Sequence, residues 1–130
     1  MSQPLRLIIR SNGPSSATLV VSGRVDGETC AGFDRDVKPL TDKRVARLLI
    51  DMTDCHYVSS AGIRSFFDLR KKVQSCQGAV SFCNLQPQIK KVFEIVKALP
   101  LECVFSSTAE ADAYLDRMMA EEIKKTRSVK

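Results

Sequence analysis

An α/β domain with a mixed central sheet of about four to five strands and about four helices is the architecture to expect from this chain. Short β-branched or apolar runs of strand length alternate with longer stretches whose apolar residues recur every three to four positions. From Val45 onward strand and helix signals follow one another in strict turn, as parallel strand-helix-strand units do. Glycine and proline fall between the elements. The order is β-β-α-β-α-β-α-β-α.

Leu5 to Arg10 alternates weakly and ends at the turn signal Asn12-Gly13-Pro14; Ala17 to Ser22 reads as its hairpin partner, which makes the first strand an antiparallel edge. Gly23 and Gly27 bracket Arg24-Val25-Asp26, read as a loop leading into a helix with the stripe Cys30, Phe33, Val37 and Leu40. Pro39 is expected to shorten or distort that helix. Val45 to Met52, with Leu48-Leu49-Ile50 apolar on both faces, predicts a central strand covered on both sides, with a polar exit at Thr53-Asp54.

A helix over 60–75 should bury Ile63, Phe66, Phe67, Leu69 and Val73 and leave Arg64, Asp68, Lys71 and Lys72 in water. Gly78 breaks it before a strand over 79–83. Pro87 opens a helix with the stripe Ile89, Val92, Phe93, Val96 and Leu99, which Pro100 stops. A short strand over 102–105 follows, then the capping-box pair Ser107 and Glu110, then a helix carrying Ala113, Leu115, Met118 and Met119. One domain is expected over residues 1–130, ordered from about 4 to 120, with a basic tail over 121–130.

Composition removes several function classes. No apolar run nears the roughly 20 residues needed to span a bilayer. Met1-Ser2-Gln3-Pro4 lacks the basic and apolar regions of an export signal, which points to a cytoplasmic location. Cys30, Cys55, Cys76, Cys83 and Cys103 are scattered without a CxxC pair, and four of them read as small core residues of a reduced protein. His56 is the sole histidine, so neither a zinc site nor any other metal or cofactor is expected. The net charge of +5 lies largely in Lys124, Lys125, Arg127 and Lys130, and with no tryptophan and two tyrosines a platform for stacking bases is lacking. Nucleic acid is therefore not an expected partner. Cys55-His56 adjacency supplies no nucleophile-base geometry, and Asp26, Asp51 and Asp54 read as loop or strand-exit residues. A small cysteine- or nucleotide-dependent enzyme remains the least supported alternative.

The informative stretch is Ser59-Ser60-Ala61-Gly62-Ile63, at the passage from strand to helix. It places one or two serine hydroxyls at an exposed helix N-terminus, where unpaired N–H groups and the helix dipole favour negative charge. Such a serine is either a plain cap or a phosphate acceptor.

Arg47-Leu48-Leu49-Ile50-Asp51 through Ser60-Ala61-Gly62-Ile63 resembles the signature of STAS domains, specifically the bacterial anti-sigma factor antagonists. Gly23-Arg24-Val25-Asp26 with Thr29, Asn84-Leu85-Gln86-Pro87 with Val92-Phe93, and Phe105-Ser106-Ser107 with Glu110-Ala111 extend the likeness along nearly the whole chain. The resemblance implies partner switching. The unmodified antagonist binds an anti-sigma factor with serine kinase activity, the phosphorylated form releases it, and a metal-dependent serine/threonine phosphatase resets the cycle. On this chain it implies Ser60 as acceptor. Asp26, Thr29 and Gly62 would lie beside it, as would Thr53, Asp54, His56 and Ser59 of the preceding loop, with Arg64 on the first exposed helical turn. Ser59 stands where the family's motif has aspartate, which makes it a rival acceptor and leaves room for an unphosphorylated scaffold in a signalling assembly.

Overall fold

The computed structural model describes residues 5–98 and 107–128. Strands β1 (Arg6–Gly13) and β2 (Ser16–Val25) form an antiparallel hairpin, and helix α1 (Cys30–Asp42) leads to β3 (Arg47–Val58). Helix α2 (Ser60–Ser75), strand β4 (Ala79–Cys83), helix α3 (Pro87–Ala98) and helix α4 (Thr108–Ser128) complete the order. β3 runs parallel to both β2 and β4, and the sheet order is β1-β2-β3-β4, so β1 is the antiparallel edge. The strand expected over 102–105, with Leu99, Pro100 and Cys103, lies outside the described residues.

β2 alternates strictly, burying Ala17, Leu19, Val21, Gly23 and Val25 on one face. On β3 the same face carries Leu48, Ile50 and Met52, all at 2 % exposure or less. The helices close over this face. Phe66 of α2 sits at the centre, with its ring 4.9 Å from that of Phe33, 6.0 Å from Phe82 and 6.1 Å from Phe93. Edge-to-face aromatic contacts of this kind add about 0.5–1.5 kcal/mol beyond area burial. Ile89 and Val92 of α3 and Leu115 and Met119 of α4 join the same core.

Several expectations are corrected. Leu49 is 40 % exposed, so β3 is covered on one side only. α1 continues past Pro39 to Asp42, and the Pro39 carbonyl accepts from Lys43 N at 3.0 Å. β2 does not stop at Ser22: Gly23-Arg24-Val25 is strand, with Gly23 at φ +99°, a conformation that suits a residue without Cβ.

β3 likewise runs on to Val58 instead of leaving the sheet at Thr53-Asp54. Two register shifts permit this. Val20 pairs Asp51 but Ser22 pairs Asp54, and Gly23 pairs Cys55 but Arg24 pairs Tyr57, so β3 takes an extra residue at each place. Such bulges re-aim side chains while pairing continues.

Of the described cysteines only Cys55 is fully buried; Cys30 and Cys83 are half-buried and Cys76, at the end of α2, is exposed. The buried stripe of α4 is Ala111, Leu115 and Met119, with Ala113 exposed, and the helix continues to Ser128 through the stretch expected as a tail. Ser107 caps it by accepting from Glu110 N at 3.2 Å.

Candidate functional site

Ser59 and Ser60 sit where β3 hands over to α2. Ser59 is extended (φ −87°, ψ 177°), and its amide donates to Val25 O at 3.0 Å, prolonging the β2–β3 ladder by one residue. Its Oγ accepts from Gly62 N at 3.2 Å, an N-cap worth about 1 kcal/mol. Gly62 is the close-approach point of α2 to the sheet: a Cβ there would overlap Val25 O and lie 2.8 Å from Val25 C. The helix start is thus fastened to the last residue of β2.

Neither serine is exposed, contrary to expectation. Ser59 is 2 % and Ser60 9 % exposed, and Ser60 Oγ is buried with no hydrogen-bond partner. An unsatisfied buried hydroxyl costs about 1–3 kcal/mol. What the local sequence could not reveal is α4. Its Asp112 carboxylate accepts from Ser60 N at 2.7 Å, which fills the anion-favouring position at the α2 start. A carboxylate there contributes about 0.3–1 kcal/mol. One turn further along α4, Asp116 accepts from the Tyr57 hydroxyl. Burial, and then the Asp116 carboxylate, push the Tyr57 phenol well above its usual range.

The end of β2 forms the other wall. Arg24 lies over the Tyr57 ring, 4.1 Å from its centroid, and its Nε is 3.2 Å from Asp26 Oδ2. Asp26 Oδ1 accepts from Glu28 N at 2.9 Å and Thr29 N at 3.1 Å, while Thr29 Oγ1 accepts from Asp26 N and donates to Arg24 O. Partial burial alone would raise the Asp26 carboxyl, but Arg24 and the two amides outweigh it and hold the group below the usual carboxylate value.

Asp26, Thr29, Ser59, Ser60 and Gly62 therefore gather around Val25, together with Arg24, Tyr57, Asp112 and Asp116, none of which the sequence reading assigned to the site. Arg24 and Tyr57 carry a readable signal, since both lie in the resembling stretches. Asp112 and Asp116 have none, because only the packing of α4 brings them here.

Thr53 and His56 belong to a neighbouring cluster. Gln86 Nε2 donates to Thr53 O at 2.7 Å and lies 3.2 Å from His56 Nδ1, and Gln88 Nε2 donates to His56 O at 3.3 Å. Asn84, at φ +58°, donates to Asp51 Oδ1 at 3.2 Å. The loop after β4 is thereby tied to the outer half of β3. Asp54 and Arg64 are exposed and lie outside both clusters.

Cys55 is no nucleophile in this setting: it is fully buried, and burial pushes its thiol up to about 11. Among the described residues no His, Cys, Asp or Glu cluster is arranged to hold a metal, and no helix is long and apolar enough to cross a membrane.

The architecture is thus a one-sided mixed sheet with a serine pair at its strand-to-helix joint. The STAS domain family model matches residues 9–111, and the chain belongs to that family. It is 29 % identical over 93 residues to "Putative anti-sigma factor antagonist BtrV" of Bordetella bronchiseptica, covering 72 % of this chain and 80 % of that one. Among solved structures it resembles an anti-sigma factor antagonist from Mycobacterium paratuberculosis, with a TM-score of 0.61, 16 % identity and coverage of 89 % of this chain and 99 % of that one. It also resembles the Bacillus cell fate determinant SpoIIAA in its phosphorylated form, with a TM-score of 0.59, 11 % identity and coverage of 69 % and 82 %. At those identities the structures establish the shared fold.

Proposed function

We propose that this protein is a non-enzymatic anti-sigma factor antagonist that acts by partner switching. Unmodified, it binds an anti-sigma factor with serine kinase activity; phosphorylated on Ser60, it lets go; a metal-dependent serine/threonine phosphatase restores it. The reading rests on the likeness to the named antagonists and to a SpoIIAA structure in the phosphorylated form.

The observation that carries the choice of residue is the unequal state of the two hydroxyls. Ser59 Oγ is committed to capping Gly62 N, whereas Ser60 Oγ has no bond to lose. A phosphate brings about −1.5 to −2 charges. Desolvated in an interface built around a neutral hydroxyl it costs several kcal/mol, and each 1.4 kcal/mol is a factor of ten in affinity. Arg24, Asp26 and Thr29 belong to the partner-facing surface with Thr53, Asp54, His56 and Arg64, while buried Gly62 sets the position of the helix start behind it.

The test is a titration of an anti-sigma factor kinase from the same organism against two variants. Ser60→Ala should bind as the unmodified protein does, and Ser60→Asp at least about 100-fold more weakly, as the several-kcal/mol penalty requires. Equal affinities would overturn the reading. The burial of Ser60 Oγ favours one second reading, a scaffold in a signalling assembly that is never phosphorylated. Mass spectrometry of the protein incubated with its kinase separates the two, since a scaffold stays unmodified at Ser59 and Ser60.

A further inference from the structure

Lys90, Phe93, Glu94 and Lys97 recur at helical spacing along one face of α3, a step round from Ile89 and Val92, which are buried in the core. Phe67 and Arg70 of α2 lie across from them, and Phe82 of β4 with Leu85 just beyond it completes the wall. Among the described residues these side chains line an open hollow of about 390 Å³, within the size range of small-molecule sites. Its apolar members are only half-buried, although Phe67 and Phe93 belong to stripes expected in the core. We propose that this hollow binds an acyl carboxylate of medium chain length, with the chain against the rings and the carboxylate at the cationic rim.

The walls select an apolar, flexible body. The Phe93 ring lies 5.8 Å from that of Phe67 at 46° and 5.1 Å from that of Phe82 at 85°. Rings at such unlike tilts leave no parallel-sided slot for a flat aromatic ligand. An alkyl chain needs no single orientation and gains with each CH₂ it buries.

The rim selects the charge. Arg70, Lys90 and Lys97 are exposed there with the one carboxylate of Glu94, three positive charges to one negative. No ion pair joins any of the four to a described residue. A cationic ligand would be repelled, and a neutral one would leave the three cations unused. A carboxylate at the rim keeps part of its hydration, so the cost of burying a charge is avoided. Apolar walls behind it strengthen its attraction to the cations.

The hollow stands apart from the serines. Phe67 is two turns, about 10 Å, along α2 from Ser60, and no residue of the partner-facing surface lines it. The inference therefore goes beyond the switch and does not depend on it.

The test is calorimetric titration of the full chain with decanoate in about 0.15 M salt, where charges more than about 8 Å apart are largely screened. Decanoate should bind saturably at one site, and decanol and decyltrimethylammonium more weakly. Arg70→Glu combined with Lys97→Glu should weaken decanoate at least about tenfold. Both positions are exposed, so the urea midpoint should not move. Lys91→Glu, exposed on α3 outside the hollow, and Leu49→Ser, on the bare side of the sheet, should each change the affinity less than about twofold. Absence of decanoate binding overturns the proposal, as does equal binding of decyltrimethylammonium, indifference to the double reversal, or loss of binding in Leu49→Ser. Tighter binding of 2-naphthoate overturns the choice of an acyl body. Uptake of an acidic, leucine-containing peptide with no decanoate bound also overturns it, and marks a protein-docking groove instead.

Discussion

Gly62 and Val25 meet so closely that no side chain fits between them: the Val25 carbonyl that accepts the Ser59 amide also fills the space where a Cβ of residue 62 would stand. The obstacle is backbone at the end of a central strand, which cannot rotate aside. Gly62→Ala should therefore destabilise the fold by at least about 2 kcal/mol, toward the upper end of overpacking costs, despite alanine's better helix propensity. Urea unfolding reads this directly, as a lower midpoint at unchanged slope.

The two serines should respond in opposite ways to the same substitution. Ser59→Ala removes the α2 cap and should cost about 1 kcal/mol. Ser60→Ala removes a buried hydroxyl that has no partner and should be neutral or stabilising. Thermal unfolding of the two variants side by side checks the order, with Ser59→Ala lower by a few degrees.

Acid should weaken the protein through Asp26 and Asp51. Thr53, by its hydroxyl and its amide, and Asn84 hold the Asp51 carboxyl below the ordinary 3.8, and Asp26 is lowered by Arg24 and nearby amides. In the window beneath 3.8 the unfolded chain takes up protons that the folded one does not. The stabilisation is thus present above that value and is lost as the pH falls through the lower folded values. Urea midpoints measured from pH 6 down to pH 3 should fall less steeply in Asp26→Asn and Asp51→Asn.

Thiol reactivity should rank by burial. Exposed Cys76 should alkylate first at pH 8, and Cys55, fully buried and raised to about 11, last of the described cysteines. Mass spectrometry over a time course with iodoacetamide gives the order. A fast Cys55 would reopen the enzyme reading.

Much of this arrangement is legible along the chain, and what is not has physical causes. Ile63, Phe66, Leu69 and Val73 mark α2 at its correct limits because one buried face leaves a clean helical period. The outer half of β3 escapes because Thr53, Asp54 and His56 are polar and its two extra residues break the alternation; only pairing with β2 keeps it a strand. Leu49 misleads because an apolar residue on an open sheet face looks the same in sequence as one under a helix. The place of Ser60 at a helix start follows from its neighbours. Its amide is held by Asp112, fifty-two positions later, and no local pattern encodes that contact.

The bare side of the sheet has a practical use. Ile8 and Leu49 point into water there, away from the helices that close the core. A fluorophore or tether attached at either place would stand behind the sheet from the serine end, able to report on docking without standing in its way. Hydrophilic replacements at the same positions should improve handling at high concentration and leave the interior untouched.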